Sequence, residues 1–310
     1  MVNIRGICLE GGGSTGIAHV GALEVLEDTG ILENITHFVG SSAGSIAAAV
    51  LSCGADADYM RKILVEKNFT HLLDSSPCLL VDFVRLTKSF GYYKGDALKS
   101  WLGTVLKELT GSPDVTFAEA HAQFGTFLEV TVTDLTMGTV YISHLTHPDM
   151  MIRTAVHRSS CMPFVFKSPS DILDTKFVKD DKIITEKKRH FYIDGGLLDN
   201  YPIHRLYEHL PKEECVGLKL MTSNSLYELE NPEISEFADP PSNIVEFIKI
   251  VTTMVRNQAL KLHVEEEDWV RTVKIDVGTM SSTDFELSDE DKEFLFNQGK
   301  EAAKKYIESL

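Results

Sequence analysis

Ser42 lies at the centre of Gly40-Ser41-Ser42-Ala43-Gly44, a G-x-S-x-G pentapeptide, and a glycine run, Gly11-Gly12-Gly13-Ser14-Thr15-Gly16, precedes it. A serine hydroxyl attacks an ester only when the fold projects it and a neighbouring group takes its proton. The flanking sequence supplies the projection. Thr36-His37-Phe38-Val39 predicts a strand and Ser45-Ile46-Ala47-Ala48-Ala49-Val50-Leu51 a helix, so Ser42 falls on a tight strand-to-helix turn at the positive end of a helix dipole. Gly40 and Gly44 have no Cβ and let strand and helix approach closely around it. For the base, Phe191-Tyr192-Ile193 predicts a short strand that delivers Asp194 into Gly195-Gly196. Two glycines allow that carboxylate to be held close to another loop. In isolation Asp194-Gly195-Gly196 reads as a turn; beside the serine turn and the glycine run it reads as part of a site.

The glycine run has a rival reading. Gly11, Gly13 and Gly16 satisfy G-x-G-x-x-G after the strand Ile4-Arg5-Gly6-Ile7-Cys8-Leu9, as a dinucleotide site would. Such a site needs an acidic residue at the end of the second strand, and here that strand ends at Val39, followed by Gly40 and the serine. Glu33 lies before the strand, on the wrong side. Backbone N–H groups of a glycine run at a helix start can instead bind the oxyanion of an acyl-transfer intermediate.

The three motifs, in this order, resemble those of the patatin-like phospholipases. Thr133-Asp134-Leu135-Thr136-Met137-Gly138 and Ser159-Ser160-Cys161-Met162-Pro163, before Phe164-Val165-Phe166, agree more weakly. The resemblance covers residues 4–220, and Asp284-Phe285-Glu286-Leu287-Ser288 resembles a C-terminal stretch of some bacterial-type members. It implies an α/β layered fold with a central, largely parallel sheet flanked by helices. It also implies a Ser–Asp dyad, with Ser42 as nucleophile, Asp194 as general base and the Gly11–Gly16 run as oxyanion hole. The substrate class it implies is phospholipid or lysophospholipid. An aspartate with an ordinary pKa of about 3.9 is a poor base, so burial would have to raise it. Thr15 departs from the family, whose members often carry Arg or Lys there; the backbone donors do not depend on that side chain.

Two alternatives stay open at this level. His204 follows Asp194 and gives the Ser…Asp…His order of a triad esterase or thioesterase, although its place on the helix Ile203-His204-Arg205-Leu206-Tyr207 favours a local role. His19 likewise reads as a packing neighbour on the first helix. The other alternative is a catalytically weak lipid-binding or regulatory protein, for which Thr15 is the hint. No H-E-x-x-H or C-x-x-C is present, so neither metal nor other cofactor is expected.

The elements that must position these residues alternate between helix and strand, which predicts a single domain over 1–310 with its core at 4–220. A helical insertion spans about 56–110; its Leu79, Leu80, Phe83, Val84 and Leu86 suit core packing or an acyl pocket. Strands are expected at 126–133, 139–142, 215–220 and 270–277. Lys176, Lys179, Lys182, Lys187, Lys188 and Arg189, diluted by Asp180, Asp181 and Glu186, read as a solvated loop, or as a headgroup contact beside Asp194. The extension over 225–310 starts with an acidic surface connection at 227–243. A long helix follows, whose stripe of Ile244, Phe247, Ile248, Val251 and Met254 or Val255 reads as core-docked, and then a last helix capped by Ser288.

A net charge of −16 argues against nucleic acid and against broad adhesion to anionic lipid, leaving local peripheral membrane contact as an option. Apolar content of 43% and charged content of 25% describe a soluble globular chain without a membrane span. Five scattered cysteines and the lack of a signal-peptide layout predict a cytoplasmic location, with export by an uncleaved route still open.

Overall fold

The computed structural model describes residues 3–66, 69–76, 79–179, 182–230 and 241–310. The chain runs through β1 (Gly6–Leu9), α1 (Ile17–Asp28), β2 (His37–Ser41), α2 (Ala43–Ser52), α3 (Ala57–Leu64), α4 (Leu79–Ser89), β3 (Gly91–Tyr93), α5 (Asp96–Thr110) and α6 (Phe117–Phe124). It continues through β4 (Phe127–Asp134), β5 (Gly138–Ser143), α7 (Ile152–Ser159), β6 (Phe164–Phe166), β7 (Ser170–Lys179), β8 (Lys182–Asp194) and α8 (Ile203–Leu206). The last elements are β9 (Cys215–Met221), α9 (Ser223–Glu230), α10 (Ile244–His263), β10 (Thr272–Asp276) and α11 (Asp289–Glu308).

Strands β10, β9, β1, β2 and β4 lie side by side and parallel, while β5 and β8 pair antiparallel with β4, and β7 with β8. The sheet is thus mixed, parallel in one half and antiparallel in the other. Both faces of the parallel half are covered. Because successive side chains on a strand point to opposite faces, Ile7, Leu9 and Phe38 enter a large core with α1, α2 and α11, while Cys8 and Val39 enter a second one with Tyr201, Ile203 and Leu206. Strands buried on both faces read as continuous apolar runs, as Gly6-Ile7-Cys8-Leu9 does.

The site follows from register on β4. Strand β2 runs along one edge of β4 and stops with Ser41 opposite Thr131. Strand β5 occupies the other edge through Glu129–Asp134, so β8 must approach on the β2 side; it arrives antiparallel and ends with Asp194 opposite Val132. The two strands thus meet nearly end to end on one edge, and the residue after β2 is Ser42.

Two expectations are corrected. The lysine-bearing segment is not a loop: it forms most of the β7–β8 ribbon, paired from Ser170↔Phe191 to Lys179↔Lys182, because Ile172, Leu173, Phe177, Ile183 and Ile184 interleave its charges. Helix α10 is not core-docked on its apolar stripe, for Phe247, Val251 and Met254 are 52%, 43% and 62% exposed. The side chains of Leu79, Leu80, Phe83 and Ile244, and residues 231–240 of the acidic connection, lie outside the described set.

Candidate active site

Ser42 sits at φ 51°, ψ −126°, a left-handed conformation that costs a residue with a Cβ about 1–3 kcal/mol and persists only where its surroundings enforce it. The enforcement is visible. A Cβ on Gly44 would collide with the Leu9 carbonyl, so only glycine lets α2 begin against the end of β1. The Ser42 N–H donates to Ser159 Oγ at 2.8 Å, and its carbonyl accepts from Ser45 Oγ at 2.6 Å. The hydroxyl is left to face Asp194. Ser42 Oγ donates to Asp194 Oδ2 at 2.6 Å, within the range for direct proton transfer.

Asp194 is fixed as firmly. Its Oδ1 accepts from the Gly196 N–H at 2.7 Å, and its own N–H donates to the Cys161 carbonyl at 2.8 Å. Burial pushes its carboxyl above the ordinary aspartate range, against the opposing pull of the Ser42 hydroxyl, the Arg256 charge and the Gly196 amide. Ser42 and Asp194 are each only 6% exposed.

The glycine run curls over this pair. The Gly11 N–H donates to the Asn200 carbonyl at 3.0 Å, Ser14 to Ser282 at 3.2 Å and Thr15 to Gly12 at 3.1 Å. Thr15 Oγ1 also donates to the Gly12 carbonyl at 2.8 Å, so its side chain closes the loop instead of facing substrate. Gly16 is the N-cap of α1. Among the described residues the Gly12 and Gly13 amides have no protein partner. Gly13 has φ 54°, and a Cβ there would strike the Ser282 carbonyl. Three of the six expected oxyanion donors thus have their amides committed within the protein.

A second layer was missed by the sequence reading. Glu10 Oε1 accepts from Lys219 Nζ at 2.6 Å and Asn200 Nδ2 at 3.0 Å, and Glu10 Oε2 accepts from the Leu220 N–H at 2.7 Å. Asn200 Nδ2 also donates to the Gly11 carbonyl at 2.8 Å. This buried cluster ties the glycine run to the segment that follows Asp194. Asn200, four positions past Gly196, was the detectable member. Ser159, which braces Ser42, lies in a block noted only for its resemblance.

Two cavities meet at Ser42. One, of about 70 Å³, is lined mainly by apolar side chains including Ile17, Ile46, Leu64, Leu98 and Phe166. The other, of about 710 Å³, contains Asp194 and is bounded by Phe164, Ile248, Thr252, Arg256 and Ser282.

The His204 triad is contradicted by this arrangement. His204 Nε2 lies 3.4 Å from the Tyr141 hydroxyl and 3.8 Å from Asp199 Oδ2, its ring stacks on His263, and burial pushes its pKa down to about 4. The direct Ser42–Asp194 contact leaves no place for an imidazole between them. His19 is fully buried with Nε2 at 2.9 Å from the Glu10 carbonyl. Among the described residues no group of three His, Cys, Asp or Glu side chains could hold a metal ion, and no helix is long and apolar enough to cross a membrane.

A family model described as patatin-like phospholipase matches residues 7–207. An uncharacterised protein of Acanthamoeba polyphaga mimivirus, R571, is 27% identical over 311 residues, covering 99% of this chain and 95% of that one. Triacylglycerol lipase 4 of Saccharomyces cerevisiae is 29% identical over 225 residues, covering 69% of this chain but 24% of the lipase. In fold, the chain is similar to VipD from Legionella pneumophila, with a TM-score of 0.59 and 18% identity over 99% of this chain and 67% of that one.

Proposed function

Because the chain belongs to the patatin-like phospholipase family, a family of lipid hydrolases, we propose that it cleaves carboxylic esters of phospholipids or lysophospholipids through a Ser42 acyl-enzyme. The observation that carries this reading is the 2.6 Å hydrogen bond from Ser42 Oγ to Asp194 Oδ2. As Oγ attacks the ester carbonyl carbon, its proton passes to Asp194, whose raised pKa makes it a stronger base than an exposed aspartate. Charge develops on the carbonyl oxygen and is met by the unpartnered Gly12 and Gly13 amides and the N-terminal end of α2. Asp194 then protonates the departing alcohol. In the second half-reaction it takes a proton from water, whose oxygen attacks the acyl carbon; as the bond from that carbon to Ser42 Oγ breaks, Asp194 returns the proton to Oγ and the fatty acid leaves.

The apolar pocket suits an acyl chain and the wider cavity the glycerol and headgroup. Phe164, exposed at the cavity rim, with Val81 and Val84 on α4, supports peripheral contact with a lipid surface during catalysis. Likeness to a triacylglycerol lipase makes neutral glycerides the competing substrates. Incubation with a mixed pool of phospholipid, lysophospholipid and triglyceride, followed by mass spectrometry, tests the reading. Release of fatty acid from the phospholipids by the wild type but not by Ser42→Ala is expected. An unchanged lipid pool, or equal release by the variant, would overturn it.

A further inference from the structure

Asp194 and Arg256 are the two charged residues among those lining the larger cavity. Asp194 is spoken for by Ser42 and Gly196. Arg256, projecting from α10, makes no hydrogen bond or ion pair among the described residues, although it is partly buried in a chain of net charge −16. Among the described residues no carboxylate stands at ion-pair distance from this guanidinium, and Asp194 acts on it only at longer range, so it is open to an anion. Its surroundings suit an oxyanion. Thr252 and Thr253 share its helix, and Ser281, Ser282 and Thr283 line the same cavity from the segment that braces the glycine run. The glycine run itself offers no cation there, since Thr15 turns its hydroxyl onto the Gly12 carbonyl.

Resting on the hydrolase reading above, we propose that Arg256 is a specificity residue. It binds the phosphate group of the substrate headgroup and thereby favours phosphate-bearing lipid esters over neutral glycerides at Ser42. The planar fork of Arg can engage two phosphate oxygens at once, an arrangement that a neutral ester cannot satisfy. The apolar pocket on the other side of Ser42 then receives the acyl chain, so the ester lies between a polar and an apolar anchor. Arg256 also pulls down the pKa of Asp194, so its loss could act through the base alone, and the test must separate the two roles.

The discriminating pair is dihexanoylphosphatidylcholine and dihexanoylglycerol, which carry the same acyl esters and differ in the phosphocholine headgroup, with dihexanoylphosphatidic acid as the arm that carries the phosphate without the choline. For Arg256→Gln the ratio of kcat/KM on the first to that on the second should fall about tenfold or more, with Arg256→Lys recovering part of it. An unchanged ratio, with both rates falling together and the acid limb of the pH profile displaced, would assign Arg256 to Asp194 and overturn the proposal. A binding arm does not depend on turnover. Ser42→Ala should bind dihexanoylphosphatidylcholine by calorimetry about tenfold more tightly than Ser42→Ala/Arg256→Gln. Inorganic phosphate at matching concentration should not displace the lipid. Displacement by phosphate alone would indicate a free-phosphate site, and equal affinity of the two variants would remove Arg256 from binding. If the wild type hydrolyses neither ester, the hydrolase reading fails and the binding arm still decides the role of Arg256.

Discussion

Two assemblies of hydroxyl and carboxylate draw on β8, one through Asp194 and the other through His190, and they differ in an instructive way. In one, Ser42 touches Asp194 directly. In the other, Thr175 Oγ1 lies 2.6 Å from His190 Nε2, and His190 Nδ1 lies 2.6 Å from Asp134 Oδ2. By the order of its side chains the second is nearer to a hydrolytic triad. Its setting says otherwise. Thr175 occupies an ordinary position in the β7–β8 ladder, and neither it nor His190 lines either cavity that opens at Ser42. The second oxygen of Asp134 accepts from the Thr136 N–H at 2.7 Å. This row of groups fastens the β7–β8 ribbon to β4. Ser42 has what Thr175 lacks: a strained turn, unpartnered glycine amides nearby, and space for an ester. The comparison places reactivity in the backbone and the cavity more than in the row of side chains.

The largest expected effect separates the two assemblies. Ser42→Ala and Asp194→Asn should each lower turnover of a lipid ester by about a thousandfold or more, and the double variant should be little worse, because the pair acts as a unit. Initial rates on purified, folded variants check this; ready turnover by Asp194→Asn would detach the base from Asp194. His190→Ala should behave differently. It leaves Asp134 and Thr175 short of a buried partner and should cost about 1–3 kcal/mol, read as a lower urea midpoint. Turnover per folded molecule should fall by less than about tenfold, since His190 touches no substrate. A thousandfold loss with unchanged stability would reverse the ranking of the two sites.

The pH dependence sharpens the same contrast. In the proposed mechanism Asp194 must be ionised to accept the Ser42 proton, and its pKa is raised, so kcat/KM should rise with pH on a limb above the ordinary carboxylate range. The folded state holds this proton more tightly than the unfolded chain. Its contribution to stability is therefore full below the ordinary aspartate value and lost as pH rises through the raised one. Asp194→Asn, neutral throughout, should accordingly melt higher than the wild type at neutral pH by calorimetry, although it is inactive. The smallest effect is expected at His204. On a soluble short-chain ester His204→Ala should retain turnover within about threefold, far from the loss that removing a triad histidine brings.

The sequence made the central geometry legible because its determinants are local. Gly40, Gly44 and the strand and helix beside Ser42 specify one turn, and the two glycines after Asp194 specify another. What brings them together is register on β4, where Ser41 meets Thr131 and Asp194 meets Val132, and no local pattern encodes that pairing. The β7–β8 ribbon was hidden because a strand that is solvated over most of its length carries charge as freely as a loop does. On α10 the periodicity revealed a stripe but not what the stripe faces; Phe247, Val251 and Met254 turn outward, while Ile248 and Arg256 line the cavity. Glu10 and Lys219 escaped notice because a buried polar cluster assembled from distant segments has no spacing rule; only Asn200 stands close enough to a motif, four positions past Gly196, to be found from it.

The central claim is that Ser42, and not Thr175, is the activated hydroxyl. The most direct measurement is peptide mapping by mass spectrometry after exposure of the folded protein to a lipid-like fluorophosphonate. The account predicts one stable adduct, on the peptide that carries Ser42, formed much more slowly in Asp194→Asn and at the wild-type rate in folded His204→Ala. Modification of Thr175, or a folded protein whose Ser42 stays unlabelled, would contradict it.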